Sequence, residues 1–384
     1  MNAPIYLDYA ATTPVDARVA ARISECLSAD GVFGNPASLH GFGRAARARV
    51  EQAGVAAAAL IGAEPDDLLW TSGATESNNL AILGVARGAR DRGRHVITSR
   101  IEHKAVLDPC RQLQREGFQV TWLDPDRDGL IDPAAVAAAL RTDTVLVSIM
   151  HANNEIGVVQ DIAAIGALCV ARDIPLHVDA AQSAGKLPLD VRALPVDLLS
   201  FTAHKLYGPK GIGALFVRRG RRAGLQPLLF GGGQQRGLRS GTLPVHQIAG
   251  FGRACELAAA GMTSEAARIC DLRERLWQGI AGLPGAQLNG HAARRVPGIL
   301  NVSFGGIEGE SLLLGLHELA LSSSAACNSD SDEASYVLRA LGRDTQTAQS
   351  SLRFSLGRFT TEVEIDTAIA AVRREVLRLR AVAP

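Results

Sequence analysis

The sequence has no C-x-x-C pair and no cluster of cysteine and histidine at metal-ligand spacing. Six cysteines are scattered along the chain, at positions 26, 110, 169, 255, 270 and 327. This spacing argues against a disulfide framework and against a structural zinc site. Five of the six lie in helix-like sequence, where we expect small buried thiols. Cys327 differs, because it lies in the polar stretch SSSAACNSDSDE.

An excess of charge of either sign is also missing, since 40 basic residues stand against 39 acidic ones and the formal net charge is +1. Such a chain has no global field that would attract nucleic acid or an anionic membrane. It contains no run of about 18 apolar residues, and its N-terminus has no basic region followed by an apolar core. We therefore expect a soluble, cytoplasmic protein that binds neither nucleic acid nor membranes.

Two nucleotide-binding motifs are absent as well. No G-x-G-x-x-G follows the first predicted strand, and no G-x-x-x-x-G-K-[ST] occurs. These absences disfavour dinucleotide binding and a P-loop.

Short β-rich runs alternate with longer helical patterns between residues 55 and 218. The predicted strands are DLLWTS (67–72), HVITS (95–99), VTWLD (120–124), TVLVSIM (144–150), IPLHVD (174–179), DLLSFT (197–202) and GALFVR (213–218). This alternation predicts an α/β fold with a mainly parallel, seven-stranded sheet and helices on both faces.

The C-terminal part has a different pattern and predicts a smaller α+β domain. It contains a predicted helix at 268–282, strands near ILNVSF and SLRFSL, and a last amphipathic helix from about Thr361 to Arg380. A chain of 384 residues favours more than one core. We predict a large domain over 16–262 and a small domain made of 1–15 and 263–384, because termini often lie close together.

Polar residues gather where the predicted strands end, which is where open parallel sheets bind ligands. Ser72 to Thr75 lie between a strand and a helix start, an arrangement that suits an anion but that also occurs as an ordinary helix cap. His103 follows the next strand and is either a surface cap or a site residue. The stretch SIMHANNEIG places Asn154 in a dense polar cluster.

The next two strands end in groups that point to cofactor chemistry. Asp179 lies in apolar sequence and must be paired, capped or coordinated, and Gln182 follows it. Lys205, after Thr202 and His204, is a phosphate clamp, a cation partner for Asp179, or an amine nucleophile. Pyridoxal phosphate needs a lysine, a carboxylate, a phosphate cradle and neutral polar groups, and all four have candidates here.

Motifs spread along the chain carry a family resemblance. They are LDYAATTP, GNPAS, TSGATESNN, EHKAVL, HANNEIGVVQDI, HVDAAQS, SFTAHKLYGPKGIGAL, RSGTLPVHQI, ILNVSF, SYVLRALG and SLRFSLGRFTT. Together they resemble the cysteine desulfurases of the IscS/NifS type, over residues 5 to about 380. The resemblance implies the aspartate-aminotransferase-like fold of pyridoxal-phosphate-dependent transferases and a homodimer. It also implies conversion of L-cysteine to L-alanine, with sulfur supplied to iron–sulfur cluster assembly and other transfer pathways.

The resemblance implies a role for each site residue. Lys205 holds the cofactor covalently and Asp179 keeps its ring nitrogen protonated. His103 stacks on the ring and, as a catalytic residue with Lys205 and Cys327, shuttles protons. The phosphate contacts are implied for Ala74, Thr75, Thr202 and His204, with Thr242 reaching in from the other subunit. Asn154 and Gln182 lie near the phenolic oxygen, and Arg353 pairs with the substrate carboxylate with help from Asn154.

Cys327 is implied to accept the substrate's sulfur as a persulfide and to pass it to an iron–sulfur scaffold or another acceptor protein. It is also implied as a transient ligand of a [2Fe–2S] cluster shared with such a scaffold. A thiol on a flexible loop can both reach a buried adduct and carry sulfur outward, and the small polar residues around Cys327 fit a flexible loop. Ser324 replaces a glycine usual in the family, which restricts the backbone.

Three alternatives remain at this point. A selenocysteine lyase or cysteine-sulfinate-type lyase on the same fold would depend less on Cys327. A sulfur-relay or regulatory protein could keep the fold without catalysis. An aminotransferase would move the amino group to a keto acid without releasing sulfur.

Overall fold

Strands and helices alternate along most of the chain in the computed structural model, which describes residues 3–323 and 334–382. The strands are β1 Ile5–Tyr6, β2 Leu68–Thr71, β3 His95–Ser99, β4 Gln119–Leu123, β5 Thr144–Met150, β6 Leu176–Asp179, β7 Leu198–Thr202, β8 Gly213–Val217, β9 Ala286–Leu288, β10 Ile299–Phe304, β11 Leu319–Ala320, β12 Ser322–Ser323 and β13 Ser351–Ser355. The helices are α1 Ala17–Ser24, α2 Gly41–Leu60, α3 Ala74–Gly88, α4 Lys104–Arg115, α5 Pro133–Ala139, α6 Ile162–Val170, α7 Val245–Ile280, α8 Gly309–Gly315, α9 Tyr336–Ala340, α10 Thr345–Gln349 and α11 Glu362–Val382.

A seven-stranded sheet with the order β2-β8-β7-β6-β5-β3-β4 forms the larger part of the molecule. Its strands are the seven predicted from the sequence, and the prediction of an α/β fold with a mainly parallel sheet is confirmed. Only β8 runs antiparallel to its neighbours, β2 and β7. The connection from β7 to β8, residues 203–212, is too short for the helical crossover that a parallel strand would need.

Both faces of this sheet are buried, which explains the apolar runs in its strands. In β8, for example, Ala214 and Phe216 pack into one hydrophobic core, whereas Leu215 and Val217 pack into the other. The first core also contains parts of α2 and α7, and the second contains most of the apolar face of α3. Because helices hold the sheet from both sides, the strand ends are fixed in position.

Two buried histidines link neighbouring strands. His177 on β6 makes hydrogen bonds with the hydroxyl groups of Ser148 on β5 (2.8 Å) and Ser200 on β7 (2.9 Å). His95 on β3 bridges Thr144 and Thr121 in the same way. Burial lowers the pKa of His177 to about 3, so the ring is neutral and serves as a cross-strand connector.

The smaller part has its own sheet, β12-β13-β10-β9, and its own hydrophobic core. The N-terminal segment joins this part, because β1 pairs with β11 and Leu7 lies in that core. The predicted helix at 268–282 is instead the end of α7, a single 36-residue helix whose first half packs against the large sheet. The domain limits 1–15, 16–262 and 263–384 stay a prediction.

The carboxyl ends of β3, β5, β6 and β7 meet at the edge of the large sheet beside β13 and the segment after β1. None of the helices in the described ranges combines the length and apolar character needed to cross a membrane.

The His177 bridge generates a stability prediction. His177→Leu leaves two buried hydroxyl groups without a partner, so we expect the free energy of unfolding at pH 8 to fall by about 2–5 kcal/mol. A neutral histidine with a lowered pKa stabilises the fold fully above the unfolded-state pKa of about 6.5, and this contribution is lost as the pH falls toward the folded value. At pH 5.5 the free energy of unfolding of the wild type should therefore be about 1.4 kcal/mol lower through this histidine, whereas the variant has no such group to titrate.

Urea unfolding at pH 8 and pH 5.5 measures this difference, and the gap between wild type and variant should narrow at the lower pH. His317→Leu, at an exposed position, is the control and should leave both values unchanged. An equal difference in the free energy of unfolding at the two pH values would contradict a neutral His177 between the two serines.

Candidate active site

A cavity of about 720 Å³ opens where the carboxyl ends of the parallel strands meet β13 and the segment after β1. We call it the strand-end pocket. It brings together ten of the site residues predicted from the sequence, namely Ala74, Thr75, His103, Asn154, Asp179, Gln182, Thr202, His204, Lys205 and Arg353. Thr242 is exposed and lies outside this pocket, and Cys327 lies outside the described residues. The volume suits a small organic molecule or cofactor.

Lys205 ends a short 3₁₀ turn that follows β7, and its side chain lies in the pocket. Its ammonium group donates hydrogen bonds to the carbonyl oxygens of Ala10 and Ala11, the latter at 2.6 Å. Its pKa is lowered to about 7, mainly by burial and also by the positive charges of Lys186 and Arg353, while Asp8 and Asp179 oppose the shift. A large fraction of Lys205 is therefore an uncharged, nucleophilic amine at neutral pH.

Asp179 is the last residue of β6 and is 5% exposed. One carboxylate oxygen accepts a hydrogen bond from the Asn78 side chain at 2.7 Å, and the other accepts from the backbone N–H of Ala181 at 2.9 Å. These donors satisfy the buried charge and fix the carboxylate at the wall of the pocket. The sequence therefore correctly indicated that this aspartate needs partners, and Asn78 is the one it did not identify.

His103 precedes α4 and caps it, because its Nδ1 atom accepts a hydrogen bond from the backbone N–H of Ala105 at 3.1 Å. Burial lowers the pKa of His103, and the negative charge of Asp179 opposes this shift. A neutral ring whose Nδ1 accepts must carry its proton on Nε2. His103 is thus both the helix cap and the pocket residue that the sequence offered as alternatives, and it can present an N–H at Nε2.

The start of α3 lies at the pocket and is a candidate site for an anion. Its N-cap is Gly73, no side chain caps the helix, and Gly73, Ala74 and Thr75 line the pocket. The backbone N–H groups of an uncapped first turn need a partner, and an anion is a suitable one. Gly73 has φ +150°, a backbone conformation that residues with side chains rarely adopt. The alternative of a serine or threonine cap is wrong for this helix.

Thr202 and His204 complete this side of the pocket. The Thr202 hydroxyl donates to the carbonyl of Ile212 at 3.2 Å, and His204 contacts the Thr12 hydroxyl through Nδ1 at 3.2 Å. Burial lowers the pKa of His204 to about 4, helped by the positive charge of Lys205. His204 is neutral in this environment, and an anion would be held mainly by hydrogen bonds and the helix start.

Arg353 on β13 enters the pocket from the smaller part of the molecule and is 5% exposed. Its guanidinium donates to Asp8 at 2.7 Å and to the backbone carbonyl of Asn154 at 3.0 Å. Its Nε atom and the side-chain oxygen of Asn154 are both buried without a hydrogen-bond partner. Unpaired buried polar atoms at one wall indicate a place for a polar ligand, and a planar guanidinium suits a carboxylate.

Three pocket contacts were missed by sequence reasoning. Asp8 lies in the motif LDYAATTP without any feature that marks it as a partner of Arg353. Asn78 lies one turn into α3, where an asparagine also fits an ordinary helix surface. Lys186 donates to Gln182 at 3.1 Å, and its spacing of four residues after Gln182 was the available signal.

The other cysteines in the described part of the chain do not line the strand-end pocket. Of the five thiols predicted to be buried, four are, and these are Cys26, Cys110, Cys169 and Cys255; the prediction is wrong for Cys270, which is only partly buried. Burial raises the pKa of Cys169 to about 12 and raises the pKa values of the other three buried thiols as well. These buried thiols are poor nucleophiles.

Comparison with known proteins places this geometry in context. A family model described as aminotransferase class-V matches residues 5–367. The cysteine desulfurase IscS of Pectobacterium atrosepticum is 58% identical over 385 residues, covering 100% of this chain and 95% of the relative. The cysteine desulfurase IscS of Aeromonas hydrophila is 59% identical with the same coverage.

Solved structures give the same result. A NifS-like protein has a TM-score of 0.91 and 36% identity, covering 98% of this chain and 100% of that chain. SspA in complex with cysteine has a TM-score of 0.83 and 39% identity, with coverage of 93% and 100%. DndA from Streptomyces lividans has a TM-score of 0.78 and 43% identity, with coverage of 92% and 99%.

The lowered pKa of Lys205 generates a prediction on amine reactivity. In cofactor-free protein, the labelling rate of Lys205 by an acylating reagent should rise to half its maximum near pH 7, because only the uncharged amine reacts. Peptide mass spectrometry at a series of pH values measures this midpoint. A midpoint near the ordinary lysine value of about 10.4 would contradict the described environment.

Proposed function

The chain belongs to the aminotransferase class-V family, and from this membership and the pocket we propose that it is a pyridoxal-phosphate-dependent cysteine desulfurase. It converts L-cysteine to L-alanine and loads the sulfur on Cys327. Relatives named cysteine desulfurase IscS at 58–59% identity support this reaction. The observation that carries the proposal is the convergence of Lys205, Asp179 and Arg353 on one pocket.

The residues present fit pyridoxal phosphate. The amine of Lys205 is uncharged in large part at neutral pH, and the carboxylate of Asp179 is held by two donors at the pocket wall. The uncapped start of α3 with Gly73 offers backbone donors for a phosphate, beside Thr75, Thr202 and His204. When bound, pyridoxal phosphate supplies a conjugated ring that stabilises negative charge at the Cα atom of an attached amino acid.

The residues of this chain have distinct tasks in the reaction. Lys205 would hold the cofactor, and its amine in the free, uncharged form would take the proton from the Cα atom of the substrate. Arg353 orients the substrate through its carboxylate, while Asn154 offers its unpaired side-chain oxygen to the substrate or cofactor. His103 can present the Nε2 proton to the substrate side of the pocket.

Cys327 accepts the sulfur in this proposal. Its thiolate attacks the substrate's sulfur, an S–S bond forms, and the substrate's C–S bond breaks with its electron pair remaining on carbon. Protonation of that carbon gives alanine, so cysteine and a protein thiol become alanine and a protein persulfide without any added oxidant. The burial of four other cysteines, with raised thiol pKa values, supports Cys327 as the acceptor.

The proposal extends to assembly and partners. We propose a homodimer in which Thr242 of one subunit completes the phosphate site of the other, and its exposure outside the described pocket fits that role. The persulfide would pass to an iron–sulfur scaffold or another sulfur acceptor in the cytoplasm, with Cys327 as a transient ligand of a [2Fe–2S] cluster shared with the scaffold. The resemblance to IscS relatives supports this part.

The reaction itself is tested by incubating the purified protein with L-cysteine. We expect alanine in stoichiometric amount to sulfur and an added sulfur atom on the Cys327 peptide in the mass spectrum. Cys327→Ala should abolish cysteine turnover with a reducing agent present, whereas Cys270→Ala, at a partly buried position outside the pocket, should keep wild-type turnover. Most turnover surviving in Cys327→Ala would favour a lyase, and amino transfer to a keto acid without sulfur release would favour an aminotransferase.

The role of Arg353 predicts a selective effect on substrate binding. Arg353→Lys keeps the positive charge but removes the planar fork, so the KM for L-cysteine should rise by at least about tenfold while kcat changes less. Steady-state kinetics over a range of cysteine concentrations measure both constants. Arg192→Lys, which alters an exposed arginine paired with Asp190, is the control. An unchanged KM in Arg353→Lys would remove Arg353 from the substrate site.

A further inference from the structure

Lysine is rare in this chain, and its distribution is uneven. Only four lysines occur, at positions 104, 186, 205 and 210, whereas arginines are numerous. Lys205 and Lys210 line the strand-end pocket, and Lys186 lines a second, smaller cavity behind it that Lys205 also reaches. An ammonium group differs from a guanidinium in being a compact point charge with a pKa that burial can shift. Lys186 therefore stands out as a second lysine amine at this site.

Lys186 contacts the site through Gln182. Its Nζ atom donates to the side-chain oxygen of Gln182 at 3.1 Å, and the side-chain nitrogen of Gln182 donates to the carbonyl of Ala10 at 2.8 Å. Lys205 donates to the same Ala10 carbonyl. A continuous series of hydrogen bonds thus runs from Lys186 through Gln182 and Ala10 to Lys205.

This arrangement decides which way the Gln182 amide faces. An ammonium group has donors only, so it must face the oxygen of the amide. The Gln182 nitrogen, with its two N–H donors, then lies toward Ala10 and the strand-end pocket, where Gln182 is 5% exposed. In the flipped orientation, two oxygens would face each other at Ala10 and two donors would face each other at Lys186.

Lys186 also adds charge close to Lys205. No carboxylate in the described ranges forms an ion pair with Lys186. Among charged groups, Glu265, which itself pairs with Arg358 at 2.8 Å, raises its pKa, and Arg353 lowers it. Burial lowers the pKa of Lys186 to about 8. The charges of Lys186 and Arg353 lower the pKa of Lys205, those of Asp8 and Asp179 raise it, and among these four Lys186 has the largest effect. His103, His204 and Lys210 also line the pocket with Lys205.

We propose that Lys186 is a positioning residue of this site: it fixes the amide of Gln182 with the nitrogen toward the pocket, and it places a second positive charge behind Lys205. The proposal deepens the proposed function and rests on it where the cofactor is concerned. Gln182 then offers a donor, and never an acceptor, to an oxygen of the bound molecule. The charge of Lys186 favours the uncharged form of the Lys205 amine, as a neighbouring cation does for other nucleophilic lysines.

Three substitutions separate the two parts of this role. Lys186→Met keeps an unbranched, flexible side chain that is one heavy atom shorter, and it removes both the donor and the charge. Lys186→Gln keeps a donor for the Gln182 oxygen and removes only the charge. Lys186→Arg keeps both, although in a larger group.

The first readout is the pH midpoint of Lys205 labelling in cofactor-free protein. We expect Lys186→Met and Lys186→Gln to raise this midpoint by about one unit, because a like charge has been removed, and Lys186→Arg to stay near the wild type. The second readout is the pH midpoint of the visible absorbance change in protein loaded with pyridoxal phosphate. It should rise in Lys186→Met, rise less in Lys186→Gln, and stay near the wild type in Lys186→Arg.

The urea midpoint of each variant shows whether it folds, and Lys186→Gln decides the question if Lys186→Met does not fold. Equal labelling midpoints in wild type and Lys186→Gln would overturn the charge role, and equal absorbance midpoints in the folded Met and Gln variants would overturn the amide role. If the wild type acquires no cofactor absorbance at all, the proposed function fails, whereas the labelling midpoints in cofactor-free protein still test Lys186.

Discussion

The site depends on the desolvation of one amine. Lys205 lies at the end of a buried strand, and its nearest hydrogen-bond partners are the carbonyl groups of Ala10 and Ala11 rather than a carboxylate. A protonated amine is costly there, so the pKa falls to about 7. The positive charges of Lys186 and Arg353 support this shift, and the negative charges of Asp8 and Asp179 limit it.

The hydrogen bonds of Lys205 also connect the two parts of the molecule. The segment after β1 carries the carbonyl groups that hold Lys205, and Thr12 and Thr13 from this segment contact His204. The segment is in turn anchored to the smaller part, because Asp8 pairs with Arg353 and β1 pairs with β11. The cofactor side and the substrate side of the pocket are therefore linked through a few N-terminal residues.

Much of this could be predicted from the sequence, for physical reasons. Strands that are buried on both faces consist of apolar runs, so the sequence predicted all seven strands of the large sheet. The motifs and their order led to the family that the comparisons confirm. Ligands at the strand ends follow from the parallel topology, which placed ten predicted residues in one pocket. The prediction cut the long helix α7 short, because its middle has small residues and no buried one between Ala258 and Ile269, a pattern that resembles a domain boundary. Pairs such as Asp8 with Arg353 join residues far apart in the chain, and no local pattern marks them.

The central claim is that Lys205 is the covalent attachment point of pyridoxal phosphate, and borohydride reduction of the cofactor-loaded protein tests it most directly. Reduction makes a lysine–cofactor bond permanent, so peptide mapping identifies the lysine that carries it. The account predicts the modification on the peptide containing Lys205 and its absence from peptides containing Lys104, Lys186 or Lys210. Modification of one of those lysines with Lys205 left free, or of none, would contradict the account.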